Sequence, residues 1–198
     1  MKKILLLAIF SVVYSFANAQ EKYSEWHSSY FDKTYDVSTS KQIANGKFDI
    51  YIDATSGSNA SICINITNDQ VPAFITFLQN VRAKYIEWTN VAKTNNITDM
   101  TKAMDYKTPS CTICWLWGDE WHFSFNRKLQ PVFMVLDEGR IVTGIKTKST
   151  ASDNRYITED LYLVWGCVED IDSLIEALDV QGMYDKLNKR QNQATLFN

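Results

Sequence analysis

The chain has 198 residues, a formal net charge of −3, 13% aromatic residues, three prolines and seven glycines. That composition excludes a linker or low-complexity chain, and the acidic balance argues against nucleic-acid binding because phosphate backbones are repelled. Four cysteines (63, 111, 114 and 167) and two histidines (27 and 122) bound the thiol and metal chemistry available.

The first 19 residues read as a signal peptide. Lys2 and Lys3 precede a mostly apolar stretch over residues 4–16, and Ala17 and Ala19 place small residues at the −3 and −1 positions of a cleavage site before Gln20. The apolar stretch is too short to span a ~30 Å hydrocarbon core, and no later run is apolar enough to do so, so no membrane span is expected after cleavage. The first 20 residues hold no cysteine for lipidation at the cleavage site. The reading is an exported protein, periplasmic or extracellular, of bacterial type and not a lipoprotein. A mature chain over residues 20–198 is long enough for one core without cross-links.

Residues 20–34 show no clear period and predict a partly ordered arm, followed by a short strand at 35–40. Residues 47–53 alternate, with Phe48, Ile50 and Ile52 on one face, and residues 61–67 do the same with Ile62, Ile64 and Ile66. Period two predicts half-buried strands, and the Ser56-Gly57-Ser58-Asn59 turn between them predicts a hairpin. The period then changes. Val71, Phe74, Leu78, Val81, Tyr85, Trp88 and Ala92 form one stripe of a long amphipathic helix over about 69–95, capped by Asn68 or Asp69, with Pro72 in its first turn.

Residues 98–110 predict a connection. Residues 111–117 and 120–126 flank Gly118-Asp119, which suits a two-residue type II′ loop. Residues 132–137 and 140–148 flank Glu138-Gly139 as another hairpin, and 156–165 read as a last long strand. Ile171, Leu174, Ile175 and Leu178 mark a second helix over about 170–187. Tight turns imply antiparallel pairing, so the predicted fold class is α+β. Its order also allows two strand-plus-helix halves, about 35–96 and 110–188.

The central hairpin carries the site candidates. With Gly118-Asp119 as its loop, Trp117 faces Glu120, Trp115 faces His122 and Cys114 faces Phe123. Cys114, Leu116, Trp121, Phe123 and Phe125 then share one face, which reads as core. Trp115, Trp117, Glu120, His122 and Ser124 share the other. Indole rings beside a carboxylate and an imidazole suit a protein, small-molecule or glycan ligand, so Trp115, Trp117, Glu120 and His122 are the candidate ligand-binding residues. The competing explanation is that these aromatics are simply packed.

Cys111 and Cys114 have redox or zinc spacing, but three steps along a strand separate them by roughly 10 Å and point them to opposite faces. No disulfide between them, no metal site and no cofactor is expected. Pairs such as Asp49/Asp53 and Asp137/Glu138 read as solvated surface. The leading functional reading is an exported, non-enzymatic binding domain. The alternatives are a small secreted hydrolase using His122 with a nearby carboxylate, and a structural or inhibitor-like protein.

Overall fold

Strand β1 (Gln20–Ser28) forms where the sequence predicts an irregular arm, and it pairs antiparallel with β2 (Lys33–Ser40), which contains the strand predicted at 35–40. A bulge hides the strand: the register slips between Lys22 and Ser24, so the period of two changes phase around Tyr23. Beyond the bulge, Trp26 turns inward and stacks on Tyr35 with ring centres 4.7 Å apart. The computed structural model behind this description covers residues 20–137 and 139–196. The signal-peptide reading of residues 1–19 and the Glu138 half of one predicted turn lie outside the described residues.

Strands β3 (Asp49–Ser56) and β4 (Ile62–Thr67) form the hairpin that the alternation predicts, with Ile50 opposite Ile66, Ile52 opposite Ile64 and Ala54 opposite Ile62. One turn of 3-10 helix (Asn68–Gln70) leads into α1 (Val71–Thr94). Neither predicted cap is the one used. Thr67 forms a capping box with Gln70, whose Oε1 accepts from the Thr67 backbone N–H at 2.8 Å. Asn68 instead ties back the preceding turn, accepting from the Phe48 N–H and donating to the Gly46 carbonyl. The predicted α1 stripe is buried, except that Trp88 is half-buried.

Strand β5 (Met100–Ala103) lies in the segment predicted as a connection; it is four residues long and mostly exposed, so it carries little pattern. Strands β6 (Cys111–Trp117) and β7 (Glu120–Arg127) follow, then β8 (Pro131–Val135), β9 (Ile141–Thr150) and β10 (Thr158–Trp165). The predicted second helix is bent. It divides into α2 (Val168–Ala177) and α3 (Val180–Thr195), and Asp179 at the break accepts from the Gly182 N–H at 3.0 Å.

The fold is α+β. Its antiparallel strands run in the order β5-β8-β9-β10-β3-β4-β6-β7, and β1–β2 branches from β3. Thus β3 shares one edge between two partners: β2 meets it at residues 50–52 and β10 meets it at Thr55 and Ser56. Helix α1 covers one face of β8–β10, where Phe133 meets Tyr85 and Trp88. The Arg82 guanidinium grips the Asp172 carboxylate with two bonds, at 2.6 and 3.0 Å, and ties α1 to α2. No helix among the described residues is long and apolar enough to cross a membrane.

The β6–β7 hairpin has the predicted register, with Gly118 at φ +60° in its loop. Its two faces are the reverse of the sequence-based assignment. Strand β6 lies beside β4, with Trp115 opposite Ile62 and Ile113 opposite Ile64. Trp115 therefore joins the main core and is 0% exposed. Cys114 joins Cys63 and Tyr51 in a smaller outer cluster flanked by half-buried Trp121 and Phe123, and Phe125 is 56% exposed. Trp115→Ala should cost about 3–5 kcal/mol, and Phe123→Ala, half-buried, only about 1–2 kcal/mol. Urea melts of the two variants check the order; a larger loss for Phe123→Ala would restore the opposite assignment.

Candidate functional site

The even-numbered residues of β8–β10 point away from α1. Met134 stands opposite Val142, Gly144 opposite Val164, and Lys146 opposite Tyr162. Sheet residues this apolar on both faces need a second cover. The four-residue turn between β1 and β2 supplies it. Tyr30 and Phe31 reach over this face and leave a cleft of about 420 Å³. Its apolar end includes Phe31, Met134, Leu136, Val142 and Val164; its polar end holds Thr55, Ser56, Gly57, Lys146 and Tyr162.

The turn is held by Asp170 in the first turn of α2. Asp170 is 2% exposed. Its Oδ2 accepts from the Ser29 N–H at 2.9 Å, the Ser29 hydroxyl at 2.8 Å and the Gly166 N–H at 2.7 Å, and Oδ1 accepts from the Cys167 thiol at 3.2 Å. Burial pushes the Cys167 thiol above its ordinary pKa, which keeps it a proton donor here. The Ser28 hydroxyl adds a bond to the Val164 carbonyl at 2.6 Å. The backbone approach requires glycine at 166: a Cβ there would lie 2.5 Å from Ser29 Oγ and 3.0 Å from the Tyr30 nitrogen. The Arg140 guanidinium stacks over the Tyr30 ring at 4.7 Å.

The sequence candidates separate. Trp115 and His122 are both buried, with ring centres 6.0 Å apart. His122 Nδ1 lies 3.6 Å from Asp153 Oδ1, beyond hydrogen-bond distance. Neither ring lines the cleft. Trp117 is 49% exposed and borders a smaller cavity of about 290 Å³ with Lys148, Glu159 and Tyr162. Gly57 and Tyr162 line both cavities, so the two are neighbours. Glu120 is exposed opposite Trp117 at the hairpin end. All four cysteines are thiols. Cys111 faces the main core and Cys114 the outer cluster, so the two point apart. Cys63 lies directly opposite Cys114, and hydrogen bonding to it, together with burial, raises the Cys63 thiol well above its ordinary pKa. Among the described residues no three His, Cys, Asp or Glu side chains converge as a metal site.

The sequence reading missed the cleft because its parts lie far apart in the chain. One signal was available: residues 132–135 and 161–165 are nearly continuous apolar runs, which mark strands covered on both faces. Compared with known protein families, with curated proteins and with solved structures, the chain matches none.

Asp53 also departs from the solvated surface that the sequence predicts. Asp36 and Asp53 come just after the Val37–Ile52 pair in the β2–β3 ladder and line one polar cavity of about 350 Å³. Burial first, and the Asp36 charge second, raise the Asp53 carboxyl from 3.8 to about 6. Asp36 pairs with Lys22 at 2.8 Å. With its folded pKa raised, Asp53 binds a proton more tightly in the native state than in the unfolded one. Its contribution to stability is therefore present at acid pH and declines as pH rises from about 4 through 6. Asp53→Asn should be more stable than the parent by about 1–2 kcal/mol at pH 7.5, with the gap closing near pH 4. Urea melts at the two pH values check it; a variant less stable at pH 7.5 contradicts the shift.

Proposed function

We propose that this chain is an exported, non-enzymatic binding domain that takes a small, largely apolar ligand in the cleft between the β1–β2 turn and β8–β10. Export rests on the Lys-Lys, apolar stretch and Ala-x-Ala order at the N-terminus. The observation that carries the binding reading is the cleft itself. At about 420 Å³ it falls in the size range of small-molecule sites, and its lining combines apolar walls with a few polar groups at one end. Its shape depends on Asp170 and Gly166, which hold the covering turn in place rather than leaving it to solvent.

The hydrolase reading draws on the approach of His122 to Asp153 at 3.6 Å. It is the weaker of the two, because a general base must reach substrate and His122 is 4% exposed. Among the described residues the cleft lining contains no histidine, cysteine or carboxylate to act as nucleophile or base.

A fluorescence titration with Nile red, a neutral apolar dye, tests the proposal. The native protein should show saturable enhancement with a dissociation constant in the micromolar range. Met134→Trp, which fills the cleft from a half-buried position, should weaken it by about tenfold or more. Absence of saturable binding, or equal binding by Met134→Trp, would place the function elsewhere.

A further inference from the structure

We infer that Cys63 and Cys114 are joined by a disulfide in the exported protein, a cross-strand bond that fastens the β6–β7 hairpin to β4. The inference rests on the export reading and is independent of the cleft. Cys63 and Cys114 are direct partners in the antiparallel β4–β6 ladder. Partners in register send their side chains to the same face, and both join Tyr51 in the outer cluster. The Leu116 N–H donates to the Ser61 carbonyl at 2.9 Å, two residues along each strand. Cys63 and Cys114 are therefore a hydrogen-bonded pair of the ladder, whose Cα atoms stand about 5.5 Å apart. A disulfide spans Cα atoms about 4.4–6.8 Å apart. In the structure both residues are thiols, and the Cys63 thiol interacts with Cys114 through a hydrogen bond. Closing the bond asks for side-chain rotation and a small approach of the two strands.

The other two cysteines are engaged elsewhere. Cys111 turns into the main core, on the opposite face of β6 from Cys114. The Cys167 thiol donates to Asp170 at the start of α2. The bond also has a task where it stands. The β6–β7 hairpin ends the sheet, and four ladder pairs attach it to β4. The loop closed between Cys63 and Cys114 carries α1 and β5, and closing a long loop restricts the unfolded chain most. Both cysteines are 2% exposed, so the finished fold shuts out an oxidant and the bond forms as the hairpin docks. One cysteine thiolate attacks an external disulfide, of the kind that compartments receiving exported proteins supply, and releases one thiol. The second cysteine attacks the resulting mixed disulfide and releases the other. Two S–H bonds are lost and one S–S bond forms, and the two electrons and two protons leave with the donor as a pair of thiols.

Non-reducing peptide mapping of protein expressed with its own leader, alkylated in denaturant, tests the inference. Trypsin yields one peptide over 48–82 with Cys63 and one over 108–127 with Cys111 and Cys114. The two should appear linked, lighter than their sum by two hydrogens. The link should survive Cys111→Ala and vanish in Cys114→Ala, where Cys63 alkylates fully. Dithiothreitol should reduce it at least about tenfold more slowly in the native protein than in urea, because the bond is buried. Mature protein starting near Gln20 with four free thiols, a link lost in Cys111→Ala, or equal reduction rates with and without urea overturns the inference. Protein that keeps Met1 removes the export reading instead. Refolding the denatured chain in a glutathione redox buffer then decides the pairing: a Cys63–Cys114 link sustains it, and free thiols overturn it.

Discussion

A carboxylate that is 2% exposed, as Asp170 is, is costly to bury unless its lone pairs are used. Here four donors use them, from Ser29, Gly166 and Cys167. The first turn of α2 adds the favourable field of the helix N-terminus. The consequence is positional. Ser29 immediately precedes Tyr30 and Phe31, so fixing its backbone fixes both rings over β8–β10. Without that anchor a four-residue turn carrying two aromatics would have no reason to hold one place. The same network joins the end of the first strand to α2, and it is seconded by Ser24 donating to the Ala177 carbonyl and Tyr23 donating to Asp179.

The cleft also depends on the fork at β3. A strand edge offers a single row of backbone donors and acceptors, and here two strands divide it. Strand β2 takes residues 50–52, and β10 takes Thr55 and Ser56. Two partners on one edge must diverge, and the β1–β2 turn crosses beside that divergence. Thr55, Ser56 and Gly57, at the fork, therefore line the polar end of the cleft. The β3–β4 turn is held there by Glu159, which is 4% exposed and accepts from the Gly57 and Ser58 N–H groups.

Much of the fold was legible because its signals are local. The alternation of Ile50, Ile52, Ile64 and Ile66 and the Gly118-Asp119 loop each specify structure within a single hairpin, and the β6–β7 register follows from its loop. The α1 stripe is legible for the same reason. What failed was non-local. The parity of β6 is readable, but which parity faces the core is decided by β4 lying beside it, and nothing within residues 111–127 specifies that neighbour. The two tryptophans of one face thus divided, Trp115 into the core and Trp117 to the surface. Strand β1 was hidden by its bulge, and β5 by its brevity. The cleft draws on residues from 30 to 164, a spread that no local pattern marks.

Asp170 holds the β1–β2 turn over the sheet. Amide hydrogen exchange in Asp170→Ala tests it most directly, read at Ser29 and Gly166 against the core amides of β4 and β6. Removal of the carboxylate should strip protection from Ser29 and Gly166 far more than from Ile64 and Ile113, and should open the cleft. Ser29 and Gly166 amides as protected as in the parent, or a loss spread evenly over the core strands, would contradict it.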